Sequence, residues 1–512
     1  MKRQRLVTII GLAVLAGLLL YVGLARVRGA VGFPLDDAWI HQTYARNLAE
    51  YGQWAFVPGR PSAGSTAPLW TLLVALGYVL GIPFRAWTYA LGGLCLAGTA
   101  LLATRLAQNL FPDHPSAPLL TGLACAFEWH LVWAAASGME TLLFALLALA
   151  IWVRVTANPT RGPLLTGILG GALVLTRPEG ILVVGLAALG ILLAEGVEGQ
   201  WRRGLTSSVL LTLGTGIVVT PYLALNLHLS GTIWPNTYYA KQTEYAVHRL
   251  QPLLVRLFGR WGSEKSPGVV TAPLVGGQIL FVPGILRELW RAFRRSRQGL
   301  SARRLVWWLP VTWVAATLVV YTLRLPVTYQ HGRYLIPIIP PLLVYGVGGT
   351  VHLVRSMRHR AAERVLARTL LAASAILFPI FWVLGAQAYA TDVAVIEGEM
   401  VAVARWLEAE TEPTALIAAH DIGAIGYFSR RPLLDMAGLV SPEVIPFIRD
   451  EEALLEWLRE RGARYLVTFP SWYPTITADP HLEKTFQTRT EVTVDQGGEN
   501  MAIYALRWER VQ

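Results

Sequence analysis

The sequence predicts an α-helical polytopic membrane protein carrying a C-terminal α/β domain, and three observations lead there. Of the 512 residues, 54% are hydrophobic and 15% charged, with a mean hydropathy of +0.45; a water-soluble domain is less apolar than this. Apolar runs long enough to span a bilayer, roughly 20 residues each, recur up to about residue 390. Beyond it, helix-like segments (VAVARWLEAE, EEALLEWLRERG) alternate with strand-like ones (TALIAAH, RPLLDMA, ARYLVTF, MAIYALRW), the pattern of a small α/β unit.

The first element, MKRQR followed by LVTIIGLAVLAGLLLYVGLA, reads as an uncleaved helix with a cytoplasmic N-terminus. Further apolar segments fall near 66–82, 87–108, 117–136, 140–156, 163–176, 180–195, 205–227, 268–288, 305–325, 333–354 and 367–390. Arginines cluster at 287–304 and 355–368, between apolar runs. There the positive-inside rule makes them cytoplasmic loops rather than a nucleic-acid surface. The formal charge of +11 therefore implies no nucleic-acid partner.

This orientation places loops 26–65 and 228–266 outside, residues 1–390 in the cytoplasmic membrane, and 391–512 in an extracytoplasmic domain. Twelve crossings cannot join an inside start to an outside end. About 11 are expected, with one segment in 66–108 or 163–195 re-entrant, broken or fused. Cys95 and Cys125 both lie in apolar segments and supply neither a disulfide framework nor a metal site. No GxGxxG or phosphate-loop motif occurs, so no nucleotide cofactor is expected.

The candidate chemistry starts at LDDAWIHQTYARNLAEYGQWAFVPG, which opens on Asp36 and Asp37. Acidic residues are costly beside a bilayer. Trp39, Ile40, Tyr44, Leu48 and Tyr51 make one apolar helical face, so the segment predicts an amphipathic helix lying in the interface. One carboxylate suffices to cap such a helix. The second invites a catalytic or metal-binding role, since a carboxylate can deprotonate a hydroxyl. Cations near the same face would stabilise a phosphate leaving group. Lys241, in PNTYYAK with Asn236, Tyr238 and Tyr239, is one such cation or a snorkelling anchor. Arg333, beside His331, suits a phosphate through paired N–H bonds. Arg177 and Glu179 interrupt an apolar run, as a buried pair or a substrate contact, and Glu140 falls near the outer face. His420 and Asp421 follow a strand-like run, where ligands often bind, although Asp421 is equally suited to capping a helix.

The ordered set LDDAWI, YARNLAEYG, FVPG, SAGSTAPLWT, ASGMET, LTRPEG, IWPNTYYAK, HGRYLIPIIP and HDIGAIGYFSRRPLLDMAGLVSPE resembles the GT-C membrane glycosyltransferases that use polyprenyl-phosphate sugars. The likeness is greatest to mycobacterial terminal arabinofuranosyltransferases, and more distant to protein O-mannosyltransferases and lipid A aminoarabinose transferases. It covers residues 35 to 445.

The resemblance implies an essential carboxylate in the first external loop, at Asp36 or Asp37. Asp36 is the favoured base, with Asp37 orienting it or sharing a divalent cation (Mg, Mn or Ca). It further implies a donor phosphate met by Lys241, Arg333, His331, Tyr238, Tyr239, Asn236, Arg177 and Glu140, and a glycan, lipid or protein acceptor held by His420 and Asp421. Arabinofuranose or a mannose-like sugar is the expected cargo. The rival expectations are a glycolipid transporter or flippase, which would show symmetric halves, and a non-catalytic envelope scaffold.

Overall fold

A computed structural model describes residues 3–260, 266–357 and 359–508. Its N-terminal part is a helical bundle. It comprises α1 (Arg3–Val27), α2 (Asp36–Tyr51), α3 (Pro68–Val79), α4 (Phe84–Leu110), α5 (Ala117–Phe127), α6 (Trp129–Ala136), α7 (Thr141–Ala157), α8 (Pro163–Val174), α9 (Gly180–Val197) and α10 (Trp201–Ser230). The bundle continues with α11 (Asn236–Glu244), α12 (Leu253–Phe258), α13 (Val282–Ser296), α14 (Ala302–Arg324), the single turn α15 (Tyr329–Gly332), α16 (Ile339–Arg355) and α17 (Arg360–Ile396). A hairpin of β1 (Ala55–Val57) and β2 (Arg60–Pro61) follows α2, and β3 (Gly259–Arg260) pairs with β4 (Ser266–Pro267).

Seven helices among the described residues are long and apolar enough to cross a membrane, and the α5–α6 pair makes eight if it forms one span. The apolar α3, α7 and α8 are shorter. The expected eleven crossings would need all three of these to cross as well. The chain is a multi-pass membrane protein.

Two local expectations are corrected. The run 117–136 is not one straight helix: it bends by 51° at Glu128. The Glu128 side chain turns back to accept the Leu131 N–H at 2.9 Å and starts α6 afresh. The run 268–288 makes no spanning helix. Pro267, Pro273, Gly276 and Gly277 break it into short 3₁₀ turns (Ala272–Leu274, Gly277–Phe281), and α13 begins only at Val282. Missing N–H donors and glycine's backbone freedom both work against continuous helix there.

Small residues set the closest helix packing. On α8, Gly167 and Gly171 are four apart, and a Cβ on Gly167 would sit 2.0 Å from the Leu211 carbonyl of α10. The two backbones meet because no side chain stands between them.

From Arg360 the last long helix runs to Glu410, through a π-helical turn at Glu397–Val401 and then α18 (Ala402–Glu410). It passes residue 390 without a break. The C-terminal sheet has the order β6-β5-β7-β9-β8: β5 (Ile417–Ala419), β6 (Leu433–Asp435) and β7 (Tyr465–Thr468) are parallel, and β9 (Ala502–Leu506) pairs antiparallel with β7 and β8 (Leu482–Gln487). Alternate strand residues face opposite ways. Ile417, Ala419, Leu433, Val467 and Ile503 join the core shared with the bundle, whereas Ala418, Leu434, Leu466 and Ala502 pack under α19 (Glu451–Glu460). The short α20 (Pro474–Thr477) and α21 (Glu491–Asp495) complete the domain.

Candidate active site

The α2 helix is not an interfacial helix with one free face. Every residue from Ala38 to Asn47 is buried, because α3 packs along it and the C-terminal domain covers it from outside. Tyr427 and Phe428 lie against Trp39 with centroids 5.1 and 4.7 Å away. Arg46 donates to the Tyr427 carbonyl at 2.6 Å.

Asp36 and Asp37, adjacent at the start of this helix, have different surroundings. The two carboxylate oxygens of Asp36 accept the backbone N–H groups of Gly423 and Ala424, at 2.7 and 2.8 Å. A Cβ on Gly423 would sit 2.1 Å from the Asp36 carbonyl, so only glycine fits this contact. Burial and the nearby Asp421 push the Asp36 carboxyl up to about 8, against the two N–H bonds. Asp37 turns to the bundle. Its Oδ2 lies 2.6 Å from Nη2 of Arg333 and 3.5 Å from Nζ of Lys241. Burial alone would raise Asp37, but those two cations hold it well below the usual carboxylate range. Lys241 is raised in turn, the charge of Asp37 outweighing burial.

The turn that delivers Arg333 is unusual. Gln330, His331 and Gly332 all have positive φ, at 54°, 59° and 65°. Side-chain-bearing residues adopt this region only where the surroundings hold them. His331 is held by Nε2 against Asp392 at 2.8 Å, between the Trp129 and Trp133 rings. Arg333 donates to the Tyr334 hydroxyl at 3.0 Å, and Lys241 reaches the same hydroxyl at 3.2 Å. Nε and Nη1 of Arg333 are buried without a hydrogen-bond partner among the described residues.

These groups open into a cleft of about 490 Å3, whose walls include Glu140, Arg177, Glu179, Tyr238, Lys241 and Arg333. Arg177 pairs with Glu179 at 2.7 Å and lies 3.8 Å from Glu140; His41 stands 3.4 Å from Glu140. Arg249 and Arg324 add two further cations, so positive charge exceeds negative in the cleft. Beside the cleft a narrow neck shares Thr66 and Lys241 with it and is lined further by Asp37, His41 and, from the C-terminal domain, Leu439.

Of the residues singled out in sequence, Asp37, Lys241, Arg333, Arg177, Glu140 and Tyr238 line the cleft or its neck. His331, Tyr239 and Asn236 do not: His331 is engaged with Asp392, and Asn236 has its backbone N–H on the Ala63 carbonyl, starting α11. His420 and Asp421 follow β5 at its carboxyl end. His420 bridges Glu244 at 3.2 Å and the Tyr473 hydroxyl at 2.7 Å. Burial lowers its basicity, but the Glu244 hydrogen bond and the surrounding carboxylates raise it to about 9. Burial pushes Asp421 up to about 6. Each Asp36 oxygen accepts one backbone N–H, and Oδ2 of Asp37 faces the two cations. Among the described residues no three His, Cys, Asp or Glu side chains group as ligands.

Sequence reasoning missed His41 and Leu439. His41 was findable, one helical turn after Asp37 and on its face. Leu439 carried no signal; only the parallel pairing of β5 with β6 brings it over the neck.

The fold is of the GT-C type. It matches the crystal structure of ArnT from Cupriavidus metallidurans bound to undecaprenyl phosphate with a TM-score of 0.61 and 16% identity, over 96% of this chain and 97% of that one. It also matches the archaeal oligosaccharyltransferase AglB from Archaeoglobus fulgidus, in complex with an inhibitory peptide and a dolichol-phosphate, with a TM-score of 0.63 and 12% identity, over 100% and 75% of the two chains. In sequence, the chain is similar to the terminal β-(1→2)-arabinofuranosyltransferase of Mycobacterium tuberculosis, 28% identical over 323 residues. That alignment covers 59% of this chain and 50% of the relative, so the match extends over about half the relative's length. Residues 387–504 match the family described as Domain of unknown function (DUF8728).

Proposed function

We propose that the protein is a membrane glycosyltransferase. It moves a sugar, arabinofuranose or a mannose-like residue, from a polyprenyl-phosphate donor to a glycan, lipid or protein acceptor outside the cytoplasmic membrane. The C-terminal domain and the cleft then face outward and the N-terminus faces the cytoplasm. The observation that carries this reading is the meeting of Asp37 with Lys241 and Arg333 in a cleft of net positive charge.

In the reaction, the acceptor oxygen bonds to the anomeric carbon as the bond from that carbon to the phosphate oxygen breaks. The electron pair leaves on the phosphate, and the acceptor proton passes to Asp37. Arg333 has two N–H-bearing nitrogens without partners among the described residues and, with Lys241, suits the phosphate. Those cations are also what make Asp37 a weak base at rest. A phosphate that draws them away raises the basicity of Asp37 when the donor is in place, nearer to what general-base catalysis needs. Asp36, tied to Gly423 and Ala424, serves as a positioning residue that seats the C-terminal domain.

The test uses purified protein in nanodiscs with radiolabelled polyprenyl-phosphoryl arabinose or mannose, followed for transfer to a glycan or to water. Asp37→Asn should bind donor and fail to turn over. Turnover retained in Asp37→Asn would remove Asp37 as base. Donor bound with no transfer by the unmodified protein to any acceptor would move the reading to a transporter or scaffold.

A further inference from the structure

Away from the cleft, at the opposite end of the bundle, a second cavity of about 750 Å3 opens between α5, α16 and α17. Its walls are almost wholly apolar, from Leu123 and Phe127 on α5 to Phe378 and Pro379 on α17. The α17 lining runs from Glu363 to Pro379, which at about 1.5 Å per residue is about 24 Å, most of the ~30 Å hydrocarbon core of a bilayer. One end is charged: Arg355 and Glu363 stand at the mouth.

Arg355 is exposed, and its one hydrogen bond among the described residues is a 3.4 Å contact to the Asp113 carbonyl. Arg355 and Glu363 are the two charges that line the groove, and the exposed Arg360 and Arg364 lie within one helical turn of Glu363, so three arginines and one glutamate gather around this end. A transmembrane helix from a partner would match the apolar walls but not this end. A molecule with a long apolar body and one anionic head matches both, and basic pockets between spanning helices suit such heads.

We propose that this groove is a binding site for an anionic phospholipid, with its acyl chains along α17 and its phosphate at Arg355. The site is separate from the sugar-transfer cleft and does not depend on the proposed reaction. The guanidinium supplies charge-assisted bonds to the phosphate, while Ala124 and Ala375 leave the groove wide enough for the chains.

Native mass spectrometry of the full chain in detergent tests this, with phosphatidylglycerol and phosphatidylcholine of identical acyl chains added separately. Phosphatidylglycerol should be retained in preference, and Arg355→Gln should lower its retention about fivefold, the worth of one arginine at an anionic lipid, leaving phosphatidylcholine unchanged. Ala375→Phe, at a surface that tolerates bulk, should reduce retention of both. Equal retention of the two lipids by the unmodified protein, or no effect of Arg355→Gln on a folded chain, overturns the proposal. So does a change of oligomeric state rather than of lipid content in Ala375→Phe, which would make the groove a helix-docking face.

Discussion

At one end of the helical bundle charges are met by opposite charges: Asp37 with Arg333 and Lys241, and Arg177 with Glu179, at 2.6 to 3.5 Å. At the other end Arg291 pairs with Glu288 and Arg203 with Glu195, at 3.5 and 3.6 Å, but other arginines meet backbone carbonyls: Arg287 donates to Leu353, Arg304 to Arg295 and Arg355 to Asp113, at 3.4, 2.9 and 3.4 Å. A carbonyl at a helix end is satisfied by a cation without neutralising it. The arginine end therefore keeps its charge for the membrane surface, while the paired end spends it on fixing the ionisation and position of Asp37. The proposed chemistry falls at the paired end and the proposed lipid site at the other.

Substitutions separate the two. The largest effect is expected for Asp37→Asn, which should lower turnover by roughly 10²–10⁴-fold, the usual worth of a general base, read in a single-turnover assay. Next, Arg333→Lys removes the planar fork but keeps the charge; turnover should fall by roughly 10²-fold, as on losing one preorganised donor, with the loss seen in kcat more than in donor affinity. Asp36→Asn breaks one of two bonds to the C-terminal domain. It should cost about 1–3 kcal/mol of stability, seen as a lower melting temperature.

A pH dependence follows from His420. Its pKa is 6.5 free and about 9 in the folded chain, so its stabilising contribution is complete below 6.5 and is lost as pH rises through 9. Thermal melts should weaken across that window by about 3 kcal/mol, and less steeply in His420→Gln, where the raised Asp36 carboxyl still titrates. The smallest effect is at the arginine end: exposed Arg303→Gln should change stability by less than about 0.5 kcal/mol and leave turnover alone.

Much of this was legible in the chain. Hydropathy marked most of the helices, and the TRPEG break separates α8 from α9 where proline and glycine said it would. Lys241 and Arg333 stood out as charges beside apolar runs, and Asp36 and Asp37 as an acidic pair that the family resemblance made essential, with Asp36 the favoured base. The division of labour between Asp36 and Asp37 was not legible. Periodicity places both at a helix start, and only the approach of Gly423, nearly four hundred residues later, decides which one is occupied. His331 misled for a related reason. Its neighbour Arg333 points to the cleft, but the left-handed turn sends the imidazole the other way, to Asp392. The bend at Glu128 was hidden because a capping carboxylate inside an apolar run looks like one more buried acid.

The contacts from Asp36 to Gly423 and Ala424, and Leu439 over the neck, have a consequence for synthesis. About 400 residues separate Asp37 from Leu439, and a ribosome adding about 5–20 residues per second needs roughly 20 to 80 seconds to cover them. Throughout that interval the carboxylate is inserted but uncovered, and the last wall of its chamber does not yet exist. A nascent chain thus carries Asp36 and Asp37 without these contacts until its final quarter folds back onto its beginning.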